Sequence, residues 1–184
     1  MNEATCPACG APCMEQVHAQ DAIPLNSCLL LDSEAEALAF PRGEMRLSFC
    51  HRCGFLANSA FDAARAEYSG RYEETQGFSP RFRAFAADLA KRWIDRYDIR
   101  DKDILEVGCG KGEFLVLMCE LGGNRGIGID PGVHPERLES PALERIKFIA
   151  DFYDERYADL AADVLVCRHT LEHIAPVREF MTSV

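Results

Sequence analysis

Residues 103–114 read DILEVGCGKGEF, an apolar run, three glycines at alternate positions, and a helix-like start. This pattern constrains the fold more than any other part of the chain. A short apolar run beside a glycine turn reads as a buried strand that enters a helix through a tight loop. The following residues keep that rhythm. GEFLVLMCELG is expected to be a helix, with Phe114, Leu115, Leu117, Met118 and Leu121 as its apolar set and Gly122 at its stop. RGIGID, RIKFIA and ADVLVC are the next strand candidates, and PVREFMTSV starts another helix after Pro176. Alternating strands and helices imply an α/β fold with a parallel sheet and right-handed crossovers, here of four strands.

The segment before this sheet reads as one amphipathic helix. Phe78, Phe82, Phe85, Leu89, Trp93 and Tyr97 recur in steps of three and four, and predict a single buried face. Ser79 followed by Pro80 supplies a hydroxyl cap and then a residue that needs no amide partner. Arg81, Arg83, Asp88, Lys91, Arg92 and Asp95 fall on the opposite, solvated face.

Residues 1–60 have a different texture. Apolar runs such as SCLLLD and EMRLSF are broken by prolines and glycines, as in a small β-rich module. Six of the nine cysteines lie here. The N-terminus has neither a basic nor an apolar leader segment, and no apolar run has membrane-spanning length, so a soluble, cytoplasmic protein is expected. In a reducing compartment, so many thiols point to metal ligation rather than disulfides. Cys6-Pro-Ala-Cys9-Gly10 and Cys50-His-Arg-Cys53-Gly54 repeat one unit, two thiols two residues apart followed by glycine. Both thiolates of such a turn can meet one ion, and two turns complete a tetrahedral four-thiolate site of the kind Zn²⁺ fills. Cys6, Cys9, Cys50 and Cys53 are therefore the expected ligands of a structural, closed zinc ribbon. Cys13 and His51 compete for ligation and rank below the paired thiols. Cys28, inside an apolar run, reads as a buried small hydrophobe. The chain accordingly divides into a zinc-binding ribbon at 1–60, a helical linker or lid at 61–100, and the start of a cofactor-binding domain at 101–184.

Three ligand classes compete for the glycine loop. A phosphate-binding loop ends in Gly-Lys-Ser/Thr, whereas Lys111 is followed by Gly112 and Glu113, with no hydroxyl for Mg²⁺. A dinucleotide loop wants its third glycine where Glu113 stands, and a carboxylate there would repel a pyrophosphate. S-adenosylmethionine carries no phosphate, and its sulfonium and amino groups are cationic, so acids around the loop help. Glu106, at the strand end, would face the methionyl amine directly or through water. Asp130 in GIGIDP stands about 20 residues on, where a carboxylate takes ribose hydroxyls. Asp151 in FIADFY suits the adenine amino group. The net charge of −10 argues against broad contact with nucleic acid.

LEVGCGKGEFL, GIGIDP, the Asp151 position and ADVLVCRHTLEHI resemble successive motifs of class I S-adenosylmethionine-dependent methyltransferases, whose sheet is Rossmann-like. The N-terminal arrangement CPACG … LSFCHRCGFLAN, followed by YSGRYEETQGFSPRF, is similar to a narrower group with a zinc-binding N-terminal domain, including C-methyltransferases of nucleotide-linked sugars. The resemblance implies the strand order third-second-first-fourth, with further strands and an acceptor region that this sequence does not contain. It thus implies a C-terminally truncated chain, with an unpaired edge on the fourth strand and no competence alone. Cofactor contacts are expected from Glu106, Gly108, Cys109, Gly110, Gly112, Asp130, Pro131, Asp151, Phe152 and His169, and from Tyr72, with Tyr68, as a lid. Lys111 is expected to be exposed, and Cys119 and Cys167 to be buried without a role. Among Arg168, His169, Thr170, Glu172 and His173 beyond the fourth strand, His169 is the candidate for the acceptor side. The implied acceptor is a small molecule, a nucleotide sugar by resemblance, with no general base assigned. A nicotinamide-dependent oxidoreductase and a non-catalytic zinc-ribbon binding module are the alternatives.

Overall fold

The computed structural model describes residues 5–65, 73 and 75–184. It divides into two compact units, residues 1–73 with 174–182 and 184, and residues 74–173 with 183. Among the described residues no helix is long and apolar enough to cross a membrane.

The first unit is built on a three-stranded antiparallel sheet in the order β1-β2-β3. Its strands are β1 (Met14–Pro24), β2 (Arg42–Cys50) and β3 (Leu56–Asn58), with helix α1 (Glu34–Ala39) in the first connection. Two irregularities, at Gln16/His18 and Gln20/Ile23, interrupt the β1–β2 register. β1 is exposed over nearly its whole length, so its sequence carries no apolar alternation and gives no strand signal. α1 was also missing from the sequence expectations. Its signal is Ser33 with Glu36 three residues on. The Ser33 hydroxyl accepts from the Glu36 N–H at 3.2 Å, and the Glu36 carboxylate accepts from the Asp32 N–H at 3.1 Å. Cys28 is exposed, not buried as expected, and has a φ of 58°. It stands in a bend between β1 and α1, where the run SCLLLD forms no continuous strand and leaves Leu30 71% exposed.

The second unit is a four-stranded parallel sheet with helices. Its elements are α2 (Pro80–Tyr97), β4 (Asp103–Val107), α3 (Glu113–Gly122), β5 (Arg125–Ile129), β6 (Ile146–Ile149) and β7 (Val164–Cys167). Helix α4 (Val177–Ser183) follows after Pro176, and its residues 177–182 group with the first unit. The strand order β6-β5-β4-β7 is third-second-first-fourth within this sheet, as expected. Val107 pairs with both Ile129 and Cys167, and Ile129 pairs with Ile149. This register brings the four carboxyl ends level. β6 and β7 form the two edges among the described residues.

α2 begins as its sequence predicts, with Ser79 accepting from the Phe82 N–H at 3.3 Å and Pro80 in the first turn. Its buried face differs from expectation. Ala86, Ala90 and Ile94 are buried, Phe82, Leu89 and Trp93 flank them, and Phe78, Phe85 and Tyr97 are exposed. α2 packs against α3, and small residues at the contact let two helices approach closely while aromatic rings spread to the sides. Trp93 meets Phe114 edge-on at 5.5 Å between centroids. α3 buries Phe114, Leu115, Val116, Met118 and Cys119, whereas Leu121, expected inside, is exposed. Buried Asn124 closes the core beneath α3, donating to the carbonyls of Ile99 and Met118 and accepting from the Lys102 N–H. Cys119 is buried as expected, and Cys167 is partly so.

Candidate functional site

Two constellations carry chemistry, one in each unit. In the first, Cys6, Cys9, Cys50 and Cys53 place their sulfurs within 4.8 Å of one another. The Sγ of Cys6 lies 3.7 Å from that of Cys53, and the Sγ of Cys9 lies 3.6 Å from that of Cys50. A tetrahedral ion with metal–sulfur bonds of about 2.3 Å needs sulfurs about 3.8 Å apart, so the donor set fits one such ion. Both turns have the same build. The Gly10 N–H reaches the Cys6 carbonyl, and the Gly54 N–H reaches the Cys50 carbonyl, each at 2.8 Å. Gly10 and Gly54 have φ values of 72° and 78°, which a residue with a side chain would adopt only with strain.

Within the cluster, Cys50 and Cys53 are pushed in opposite directions. Burial pushes the Cys50 thiol up, but N–H groups of Cys53 and Arg52 and the neighbouring thiols outweigh it and bring Cys50 down to about 6. The Phe55 N–H lowers Cys53, but burial and the other sulfurs outweigh it and drive that thiol up to about 12. A divalent ion would resolve this conflict by holding every thiolate. Cys13 touches only the rim of the cluster, with its Sγ 3.8 Å from that of Cys50. His51 turns away to Glu15 and stacks edge-on with Phe49.

The second constellation lies at the carboxyl end of the parallel sheet, the ligand-binding end of open α/β sheets. Gly108, Gly110 and Gly112 have φ values of 68°, 55° and 87°. A side chain at Gly108 would collide with Thr170, and one at Gly112 with Phe148. These two glycines thus serve the turn and the packing beneath it. Cys109, buried between them, faces Gly128, where an added side chain would strike its sulfur.

Glu106 points from β4 into the interior and is 2% exposed. Its Oε2 has no hydrogen-bond partner among the described residues. Burial raises its pKa to about 8, against the opposing influence of the Arg168 charge and the Leu115 N–H. A buried carboxylate with an unanswered oxygen is the group a cationic ligand would satisfy.

Asp130 follows β5 and is also buried. Its Oδ2 accepts from the Gly110 N–H at 3.0 Å, and its Oδ1 from the Gly132 N–H at 2.7 Å. Pro131 lies in that turn, half-buried. Lys111, expected outside, is buried, because its ammonium reaches the Gly132 carbonyl at 2.9 Å across the same turn. Asp151 follows β6. Its Oδ2 accepts from the Tyr157 hydroxyl at 2.7 Å and pairs with Arg156 at 3.0 Å. The Tyr157 and Arg156 bonds hold its carboxyl below the ordinary range. Phe152 is 58% exposed beside it.

Beyond β7, His169 is exposed, has a φ of 52° and lies 3.8 Å from Glu172. The Thr170 hydroxyl donates to the Gly108 carbonyl at 3.2 Å, which ties this loop to the glycine turn. The sequence reading missed the role of Arg168, whose guanidinium stacks 3.7 Å above the centre of Phe114. The Thr75 hydroxyl donates to Glu113 at 2.6 Å, so the chain before α2 reaches the start of α3. Tyr68 and Tyr72, the expected lid residues, lie outside the described residues.

Comparison with known proteins gives a consistent class. A family model described as a methyltransferase domain matches residues 79–184. Ribosomal protein L11 methyltransferase of Haemophilus influenzae strain PittEE is 29% identical over 86 residues, covering 42% of this chain and 28% of that protein. The enzyme of the same name from Pectobacterium carotovorum is 30% identical over 100 residues, covering 48% of this chain and 32% of that protein. The chain thus spans about a third or less of the length of these curated relatives. Among solved structures, Burkholderia thailandensis 1,6-didemethyltoxoflavin-N1-methyltransferase with bound S-adenosylhomocysteine is 20% identical, with a TM-score of 0.35. It covers 53% of this chain and 44% of that one. CalO1, a methyltransferase in calicheamicin biosynthesis, is 22% identical with a TM-score of 0.31, covering 50% of this chain and 29% of that one.

Proposed function

The chain belongs to the methyltransferase-domain family, and from that premise we propose that it serves S-adenosylmethionine-dependent methyl transfer. The supporting observation is the row of acids at the ends of three adjacent strands, Glu106 near the end of β4, Asp130 just beyond β5 and Asp151 beyond β6. This row suits a cationic, phosphate-free adenosine ligand. It does not suit a nicotinamide dinucleotide, whose pyrophosphate would meet Glu113 in the first turn of α3.

The side chains divide the work. The unanswered Glu106 oxygen faces the methionyl ammonium. Each Asp130 oxygen already holds one backbone N–H and keeps a lone pair for a ribose hydroxyl. Asp151, fixed by Tyr157 and Arg156, takes the adenine amino group, with Phe152 against the base. Gly108, Cys109, Gly110, Gly112 and Pro131 line the seat. When bound, S-adenosylmethionine supplies a methyl group on a sulfonium. The residues of this chain position partners and exclude water rather than form bonds to the methyl. His169, exposed at the end of β7, faces the acceptor side. The four-thiolate cluster binds Zn²⁺ as a structural ion. The acceptor is a small molecule, and the similarity of the N-terminal arrangement to sugar C-methyltransferases favours a nucleotide-linked sugar.

Calorimetric titration tests the cofactor. S-adenosylhomocysteine should bind and NADH should not, and the reverse result removes the reading. Asp130→Ala should weaken S-adenosylhomocysteine about 10-fold or more, through the lost bonds to a charged acceptor. Unchanged affinity would strike Asp130 from the site.

A further inference from the structure

Arg168 is the first residue beyond β7, level with Gly108 beyond β4 in the sheet register. Its guanidinium is stacked on Phe114 and the residue is partly buried, which makes its charge harder to hold. A guanidinium carries five donors in a fixed fork. Among the described residues, no hydrogen bond or ion pair occupies them. Glu106 and Arg168 influence each other through space, with no ion pair between them among the described residues. The interior thus holds an acid with an unanswered oxygen and a base with unanswered donors, close but not joined.

We propose that Arg168 binds the carboxylate of an α-amino-acid end of the ligand while Glu106 faces its ammonium, so that the pair reads a zwitterion. The proposal rests on the S-adenosylmethionine reading and assigns that cofactor's amino-acid end to Glu106 on β4 and Arg168 just beyond the neighbouring β7. A zwitterion answers both charges and adds no net charge to a partly dry site. Stacking on Phe114 holds the guanidinium plane, so little freedom is lost when the fork engages a carboxylate. The arrangement makes Arg168 a specificity residue, one that separates nucleosides bearing an amino acid from those without one.

The test compares two ligands on the full chain. S-adenosylhomocysteine has the amino-acid end, and 5′-methylthioadenosine lacks it. Arg168→Gln keeps most of the stem against Phe114 and removes the charge. It should weaken S-adenosylhomocysteine about 10- to 100-fold, as expected for a charge-assisted pair, and leave 5′-methylthioadenosine unchanged. Arg168→Lys should recover part of the loss. Thermal unfolding of each variant without ligand identifies a fold defect, which would lower both affinities together. An equal effect on the two nucleosides, or none on either, overturns the proposal while leaving the cofactor reading standing. Wild-type protein that binds neither nucleoside removes both.

Discussion

The two units solve the problem of stability by different means. Before residue 66, the buried side chains among the described residues are Cys6, Ala11, Ser48 and Cys50, of which two are thiols of the cluster. The second unit buries a continuous apolar set from α2, β4, α3 and β7, including Ile94, Ile104, Leu115, Met118 and Val166. Apolar burial stabilises by roughly 25 cal/mol per Å², so packing of this set is the second unit's main source of stability. Before residue 66 the first unit has little apolar interior, and an ion held by the four thiols would add the missing closure. The two units thus differ in what they gather in their interiors, clustered thiols in the first and an apolar set in the second.

Metal removal breaks this comparison most sharply. Structural zinc supplies roughly 10–16 kcal/mol of folding free energy in small modules. A strong chelator, or Cys6→Ser with Cys50→Ser, should therefore unfold the first unit and spare the second. Amide exchange should show β1 and β2 losing protection while β4 and β5 keep it. A first unit that stays folded without metal would end the distinction.

Leu115→Ala is the reciprocal experiment. Leu115 is fully buried in α3, and its truncation should cost about 2–5 kcal/mol. The loss should appear in the second unit's thermal transition and leave metal affinity unchanged.

Glu106 separates the units by pH. Its folded pKa, raised to about 8, exceeds the ordinary glutamate value. Its contribution is fully present below that ordinary value and fades as pH rises through about 8. Glu106→Gln should remove this decline and stabilise the second unit at alkaline pH by a few kcal/mol. Denaturant titrations at acidic and alkaline pH measure it.

The smallest effect is Ser79→Ala, which removes the α2 cap and should cost about 1 kcal/mol in the second unit alone. A shift in the first unit's transition would show that the two are not energetically separate.

Legibility in the sequence followed the same division. All four parallel strands were readable, because each is a short apolar run bounded by polar or glycine residues. The α2 start was readable from Ser79-Pro80, but its buried face was not. Steps of three and four mark several adjacent stripes, and only the α3 contact selected Ala86 and Ala90 over Phe78 and Phe85. In the first unit the thiol spacing was plain, whereas exposed β1 was silent. The acids at the strand ends were visible by position. Which of them kept a free oxygen was not.

By itself the sequence determined the order of strands and helices, the four clustered thiols and the glycine turn, because each depends on local spacing and backbone freedom. Tertiary structure alone decided the depth of Glu106, the burial of Lys111 and the stacking of Arg168 on Phe114. These depend on which distant elements meet. Charge in a protein is governed by what surrounds it, and neighbours from other strands are not written beside a residue in the chain.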